Sequence, residues 1–592
     1  MPKFKVGPVL SFRGVDLSSP QAPRWKVTAL LGIPTDTAPF NLLLDGTPTT
    51  PPVTLFENAD TRIVRYDLSV TLQDAERRVT YALPDDSARW QFTVPAKTLS
   101  PRMAYVSCNG YSDPSLMRKL VQPANAVWED LLRNHDQAFH PDDYRIDKEQ
   151  LWHLEQSRGR EFQRFHVLLM GGDQIYFDSI WDDIEECKQW VKLSRKDQLA
   201  FSVSAALDRR IAKYYFDTYC ERWLPSKLGY WNGSASKRGL GCADALACIP
   251  TVMMWDDHDI FDGWGSYTPE MQQCPLAQTI FKHARAAFWV FQMQHALSAL
   301  PELRSRVSTN VLIDAPRFES IDWHAHLAAD ALALPMVNEQ PGFSQAYSIG
   351  PLALYSADLR TERSRTQILS ESSWRAMERW MNDISKTNAQ TRHVVVLSSV
   401  PVAHPKMPLA EGLFDVFGQD HVLDSSADDI RDHWSHDDHE ASRLRLVQLL
   451  TKVASEQRVR VQIVSGDVHV AAWGGVTRHD ASPEARSLRI EQLTASAVVH
   501  PPPSGPVERM FLFYLNKKAE DVQAIGADYT AQMMPFPNHS QRIMPARNWL
   551  ALEPDSHFDA QRGPRLWAAW RCETTKGFTN HLLAMESVVR DC

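Results

Sequence analysis

Four short segments of this chain carry side chains suited to holding cations. They are Ser107-Cys108-Asn109, Gly171-Gly172-Asp173-Gln174-Ile175-Tyr176, Asp256-Asp257-His258-Asp259 and Ser465-Gly466-Asp467-Val468-His469. Hard carboxylates together with imidazole suit two cations bridged by a shared carboxylate. Such a pair acidifies a bound water, clamps a phosphoryl group and stabilises both the attacking and the leaving oxygen. A thiolate (Cys108) and a phenolate (Tyr176) at one centre favour a strongly Lewis-acidic trivalent ion, so ferric iron (Fe3+) is the first expectation. Zinc is the fallback, since thiolate with carboxylate or imidazole also satisfies it. Taken singly, each segment has a plainer reading. A lone cysteine after a strand is commonly a small buried apolar group, an Asp after Gly-Gly a helix cap, and an acidic run a solvated turn. Asp467-x-His469 is harder to dismiss, because alternate residues of an extended chain share a face.

What joins the segments is their position. Each follows an apolar run: Met103–Val106, Phe165–Met170, Thr251–Trp255 and Val459–Val464. A fifth run, His393–Leu397, has the same character. Between the runs lie helical stripes such as Trp374, Met377, Met381 and Ile384, or Leu446, Leu449, Leu450 and Val453. The stretch Ile280–Leu300 reads as a third helix. Strands alternating with amphipathic helices predict an α/β core. In open α/β sheets ligands bind beyond the carboxyl ends of the strands, where residues hundreds of positions apart converge. Gly171, Gly172 and Gly466 allow the sharp turns needed to present an acid there. Residues 1–98 differ: short β-prone runs separated by Pro- and Asp-rich turns predict a small β-sandwich, bounded near Pro95-Ala96-Lys97. The end of the chain, from residue 555, reads as a closing hairpin. His436-Asp437-Asp438-His439 follows no apolar run and is read as a solvated loop.

Composition narrows the function. The 592 residues are 44% hydrophobic and 23% charged, which excludes wholesale disorder. With 63 Lys and Arg against 72 Asp and Glu, the net charge is -9. That balance disfavours a non-specific nucleic-acid or anionic-membrane binder, which needs a basic field. No apolar run reaches the ~18 residues of a spanning helix. The eight cysteines are scattered without a C-x-x-C pair, the pattern of reduced thiols. No export signal is recognisable at the amino terminus, so the expected compartment is the cytoplasm.

Together the four segments resemble the PhoD-like (alkaline phosphatase D) branch of the calcineurin-like metallophosphoesterases. Ala357-Asp358-Leu359-Arg360-Thr361-Glu362-Arg363 resembles that family's Asp-x-Arg element, and Asp432-x-Trp434 its Trp-containing segment. The resemblance covers about residues 100–590. It implies a four-layer α/β/β/α sandwich at residues 99–592 with the small β domain at 1–98 ahead of it. It implies that Cys108 and Tyr176 ligate iron, that Asp173 bridges the metals, and that Asp467 and His469 complete the shell. Asp257 stands where the wider superfamily often has an Asn ligand and would bind a second metal. Calcium (Ca2+) is the first choice there, with Zn2+, Mn2+ or Mg2+ as alternatives. His258 would protonate the leaving oxygen, with Asp256 or Asp259 orienting its imidazole. Arg360 is a candidate phosphate fork, and His404 is a candidate to approach the cleft. The expected reaction is hydrolysis of a phosphate mono- or diester by in-line attack of a metal-bridging hydroxide. The alternative is a metal-stabilised binding module whose catalysis has decayed. The departures are the missing leader, Asp259 where a Glu is common, and Asp262-Gly263 where secreted members tend to carry Asn. They leave the second metal and the substrate open.

Overall fold

Met103–Val106, Val167–Met170 and Thr251–Met253 form three short, wholly buried strands. Apolar side chains on both faces suit a parallel sheet covered on each side. The three are parallel neighbours, with Met103 opposite Val167 and Leu168 opposite Thr251. The computed structural model describes residues 4–135, 164–227, 240–307, 313, 315–405, 433–479, 488–502, 506–559 and 563–588. Within these residues the three strands lie in the middle of an 11-stranded sheet. On one side it continues through Asn548–Asp559, Gly563–Thr574 and Gly577–Met585, the expected closing hairpin extended by one strand. On the other side it continues through Val6–Asp16, Arg24–Pro34, Thr61–Asp67 and Val53–Glu57.

A second, nine-stranded sheet has Leu352–Ser356, His393–Leu397, Arg460–Ser465 and Ile490–Ala495 as its parallel centre. Alternation along its strands separates two cores. Val395, Leu397, Leu354 and Val464 face the first sheet and share its core with Tyr105 and Leu168. Val394, Val396, Tyr355 and Ile463 face outward and bury the stripes of two helices, Glu371–Thr387 and Glu440–Gln457. The period of two makes each strand two-faced, and the helical stripes predicted from sequence fill the outer face. Between the sheets, Phe12 stacks on Tyr347 at 5.4 Å and the Trp570 indole donates to the Thr494 carbonyl at 2.9 Å. Helix Cys242–Cys248 packs on Val6–Asp16. The mixed α/β class with two large facing sheets is as expected.

The first 98 residues are sheet-rich, as predicted. Part of them forms a separate four-stranded sheet of Thr47–Pro48, Leu43–Leu44, Arg77–Ala82 and Arg89–Val94. The remainder joins the large sheet through the parallel pairing of Ser11 with Thr251. The sheet therefore runs without a break across the division drawn near residue 98. One boundary differs from expectation. The helix expected to run on to Leu300 spans Pro275–Phe291. Gln294 then takes a left-handed conformation (φ 50°), with its amide bound to Thr28 and the Val9 carbonyl, so a polar tie to the amino-terminal strands ends the helix.

The same region holds a two-pronged ion pair. Arg65 of Thr61–Asp67 bonds both oxygens of Asp330, at 2.8 and 2.9 Å, and also the Gln294 carbonyl. Arg65 is 6% exposed and Asp330 24% exposed. We expect Asp330→Asn to destabilise the fold by about 2–3 kcal/mol, somewhat less than for a fully enclosed pair because Asp330 keeps some water. Equilibrium denaturation of the variant checks this, and a change within 0.5 kcal/mol, about the scatter of ordinary surface substitutions, would show that the pair contributes little.

Candidate metal centre

The loops after the strands are laced to one another by their backbones. The Cys108 N–H donates to the Gly172 carbonyl at 3.1 Å, and the Asn109 N–H to the Asp173 carbonyl at 2.8 Å. Cys108, Asp173, Asp467 and His469 all have left-handed backbones, with φ of 53°, 56°, 67° and 52°. Non-glycine residues enter that region at a cost, and they stay there when the surroundings over-determine them. Four of the six predicted ligands share this strain. Gly172 (φ +117°) presses against Asp256, where an added Cβ would lie 2.5 Å from the Asp256 Cβ. Gly466 is packed as closely on Ser107.

These turns bring three of the predicted metal ligands, Asp173, Asp257 and Asp467, close to Asp256 and His258, while Cys108, Tyr176 and His469 stand outside the two groups these form. Ligand atoms of Asp173, Asp257 and His258 lie within 4.8 Å of one another, and so do those of Asp256, Asp257 and Asp467. Asp257 belongs to both groups. Tyr176 donates its hydroxyl to Asp173 Oδ2 at 3.5 Å, and its ring stacks on His258 at 4.3 Å. Cys108 packs with Tyr176 and Ala497, its Sγ 3.1 Å from Ser496 Oγ. The His469 N–H donates to that same Ser496 hydroxyl at 3.1 Å. The His469 ring lies 3.6 Å from that of His500, which in turn stacks toward Tyr176 at 6.2 Å.

So many buried acids in one place repel each other. Burial pushes the Asp173 carboxyl well above its usual range, and Asp256, Asp257 and Asp259 add to the shift while His258 opposes it. Burial likewise raises the Cys108 thiol, helped by Asp173 and Asp467. The Tyr176 phenol rises for the same reason, with Cys108 and Asp173 adding to burial. Asp173 Oδ1 is buried without a hydrogen-bond partner. A donor set of this kind fits a multivalent cation, which would reverse each of these penalties at once. Burial lowers His469 and keeps its imidazole neutral, the form that ligates. His258 goes the other way. Burial alone would lower it, but Asp178, Asp257 and Asp173 outweigh that and hold it protonated.

Asp178 is the imidazole's partner: its Oδ2 lies 2.8 Å from His258 Nδ1, while Oδ1 accepts the Asp262 N–H at 2.9 Å. Sequence reasoning assigned that place to Asp256 or Asp259, and both are engaged elsewhere. Asp259 accepts the N–H groups of Gln174 (3.3 Å), Ile175 (3.1 Å) and Asp256 (3.0 Å), pinning the Asp173 loop to its neighbour. Asp256 bonds Arg360 Nε. Asp178 lies two residues beyond the Gly-Asp-Gln-Ile-Tyr motif, yet just before Ser179 and the short helix Ile180–Asp183 it reads as an ordinary acid at a helix start. Ser496 and His500 also escaped notice, since they follow the strand Ile490–Ala495 without any metal-type motif. His404 does approach the cleft, its ring 5.1 Å from that of His433, whose Nε2 is 3.7 Å from Asp467 Oδ2. In the 436–439 cluster Asp437 and Asp438 are exposed, as expected, and His439 is buried. Trp434 is buried, and Asp432 lies outside the described residues.

This chain is similar to several known proteins. A family model described as PhoD related phosphatase matches residues 147–324 and 409–535, just over half of the chain. The uncharacterized protein YGR266W of Saccharomyces cerevisiae is 26% identical over 489 residues, covering 74% of this chain. This chain spans 62% of that relative's length. A solved structure of PhoD superposes with a TM-score of 0.44 at 11% identity, over 98% of this chain and 92% of the other.

Gly172 offers a direct check on the lacing. Gly172→Ala places a methyl group against Asp256 in a conformation that alanine resists. We expect a loss of at least about 2 kcal/mol in unfolding free energy. A variant as stable as the parent in urea would show that the loops are not packed as described.

Proposed function

This chain belongs to the PhoD-related phosphatases, and on that premise we propose that it is a metal-dependent phosphoric ester hydrolase acting on a mono- or diester. The observation that carries the reading is the buried meeting of Asp173, Asp257 and His258 with Asp256 and Asp467, beside Cys108 and Tyr176. In this reading Cys108, Tyr176 and Asp173 would hold ferric iron, and Asp173, Asp257, Asp467 and His469 would hold a divalent cation, Ca2+ before Zn2+, Mn2+ or Mg2+. Bound cations supply Lewis acidity, acidifying water and offsetting charge on the phosphoryl oxygens.

The protein's own residues do the rest. Asp178 fixes the His258 ring through Nδ1, and the surrounding acids keep it charged. Nε2 then carries the proton given to the departing oxygen, a role usually worth ~10²–10⁴ in rate. Tyr176 stacked on the ring restricts its rotation. Burial of the acids excludes bulk water, so charges within the centre are felt strongly.

Protein purified without added metal should contain iron and a divalent cation by elemental analysis, and chelation should abolish turnover of a mono- and diester panel. Metal without turnover would instead mark a binding module. Cys108→Ser should lose iron and any visible charge-transfer colour, and iron retained at full occupancy would remove the thiolate from the shell. His258→Ala should slow alkyl esters by ~10²–10⁴ and nitrophenyl esters far less, because a good leaving group needs no proton. Asp178 raises the His258 pKa, so Asp178→Asn should lower it. The acid form is then lost sooner as pH rises, and the alkaline limb of the pH–rate profile moves to lower pH. An unmoved limb would separate Asp178 from the proton donor.

A further inference from the structure

Arg360 lies in the loop after the strand Leu352–Ser356, and its side chain is 0% exposed. Its Nε bonds Asp256 Oδ1, its Nη2 lies 3.3 Å from Asp257 Oδ1, and its Nη1 donates to the Trp264 carbonyl at 2.9 Å. The other oxygen of Asp257 accepts the Gly263 N–H at 2.7 Å. A guanidinium with no exposed surface presents none to a phosphate arriving from solvent. Its loop is also tied down. Asp358 accepts the backbone N–H groups of Arg360 and Thr361 at 3.0 Å, that of Phe343 at 2.8 Å, and the Trp255 indole N–H at 2.9 Å. Trp255 directly precedes Asp256. The loop is therefore fastened to one strand end at two successive places.

Asp256 adds a charge to a cluster already rich in them, with its carboxylate oxygen within 4.8 Å of those of Asp257 and Asp467. An arginine stays charged throughout the physiological range and offers a planar fork able to span two acids. We propose that Arg360 is a positioning residue, a fixed guanidinium that cancels the charge of Asp256 and aims Asp257, so that the acids stand assembled before any metal arrives. Its effect on metal rests on the function proposed above. Its effect on the metal-free fold does not.

The test is a double-mutant cycle in the full chain: Arg360→Gln, Asp256→Asn and the two combined. Calorimetry of chelated protein gives the metal-free Tm, and titration with Mn2+ gives cation affinity. Arg360→Gln should lower the metal-free Tm by about 2–4 °C and weaken Mn2+ binding about 10–100-fold. Adding Asp256→Asn should recover more than half of both losses, because the uncompensated carboxylate is gone. In turnover kcat should fall more than KM rises. Unchanged Tm and Mn2+ affinity with a raised KM alone would make Arg360 a phosphate contact and overturn the proposal. So would a double variant no better than Arg360→Gln. If Arg360→Gln does not fold, recovery of folded protein on adding Asp256→Asn is the same rescue. Arg360→Lys keeps the charge and loses the fork, so its metal-free Tm should fall between those of the parent and the Gln variant. A parent-like Tm with parent-like Mn2+ affinity would overturn the clamp. If the parent binds no Mn2+ or other metal, the proposed function fails, while the Tm cycle still decides the role of Arg360.

Discussion

Like charges confined away from water govern this molecule. Asp173, Asp256, Asp257, Asp259 and Asp467 are drawn from three loops into one largely buried region. Left alone, such a group would neutralise itself by taking up protons or would push its loops apart. The surrounding protein supplies several answers. Asp259 is absorbed by three backbone N–H groups and Gln292. Asp256 and Asp257 meet Arg360. Asp173 and Asp257 lie beside the charged ring of His258. What these answers leave over is the demand for cations.

The two sheets make that crowding possible. Loops beyond their parallel centres meet, with the Val498 N–H donating to the Ser107 carbonyl at 2.9 Å and the Val499 N–H to that of Cys108 at 3.2 Å. Left-handed backbones at Cys108, Asp173, Asp467 and His469 are one sign of this constraint, and the glycines that touch neighbouring loops are another. Left-handed non-glycine residues also occur elsewhere, as at Gln294 and Arg458, but here four of them cluster in loops that meet at one centre. Such clustering at one site is what is found where surrounding structure holds strained residues in place for function.

Much of this was legible in the chain alone. The apolar runs marked the strands, because short stretches buried on both faces leave no room for polar residues. The polar groups following them marked the centre, because only the ends of such strands can bring distant residues together. Asp178 was not legible. An acid shortly before a helix has a common structural explanation, and only the distance to His258 separates one reading from the other. His500 and Ser496 were hidden for a similar reason, since their contacts run through space to Cys108 and His469 with no spacing in sequence to signal them. The environment of Arg360 was equally invisible, as an Asp-x-Arg element says nothing about which acids its guanidinium meets.

The pairing of strands also sets an order of events during synthesis. Ser11 finds its parallel neighbour only at Thr251, and Ala104 finds its antiparallel neighbour only at Ala551. A ribosome emits the first of each pair long before the second. The strand Val6–Asp16 must therefore wait with one edge unsatisfied until Thr251 has emerged, and the strand that leads to Cys108 waits for Ala551. Long-range ladders of this kind close slowly and leave partly built sheets exposed to mispairing. The segment carrying Cys108 thus gains its antiparallel neighbour long after its parallel one, Val167–Met170, has been made.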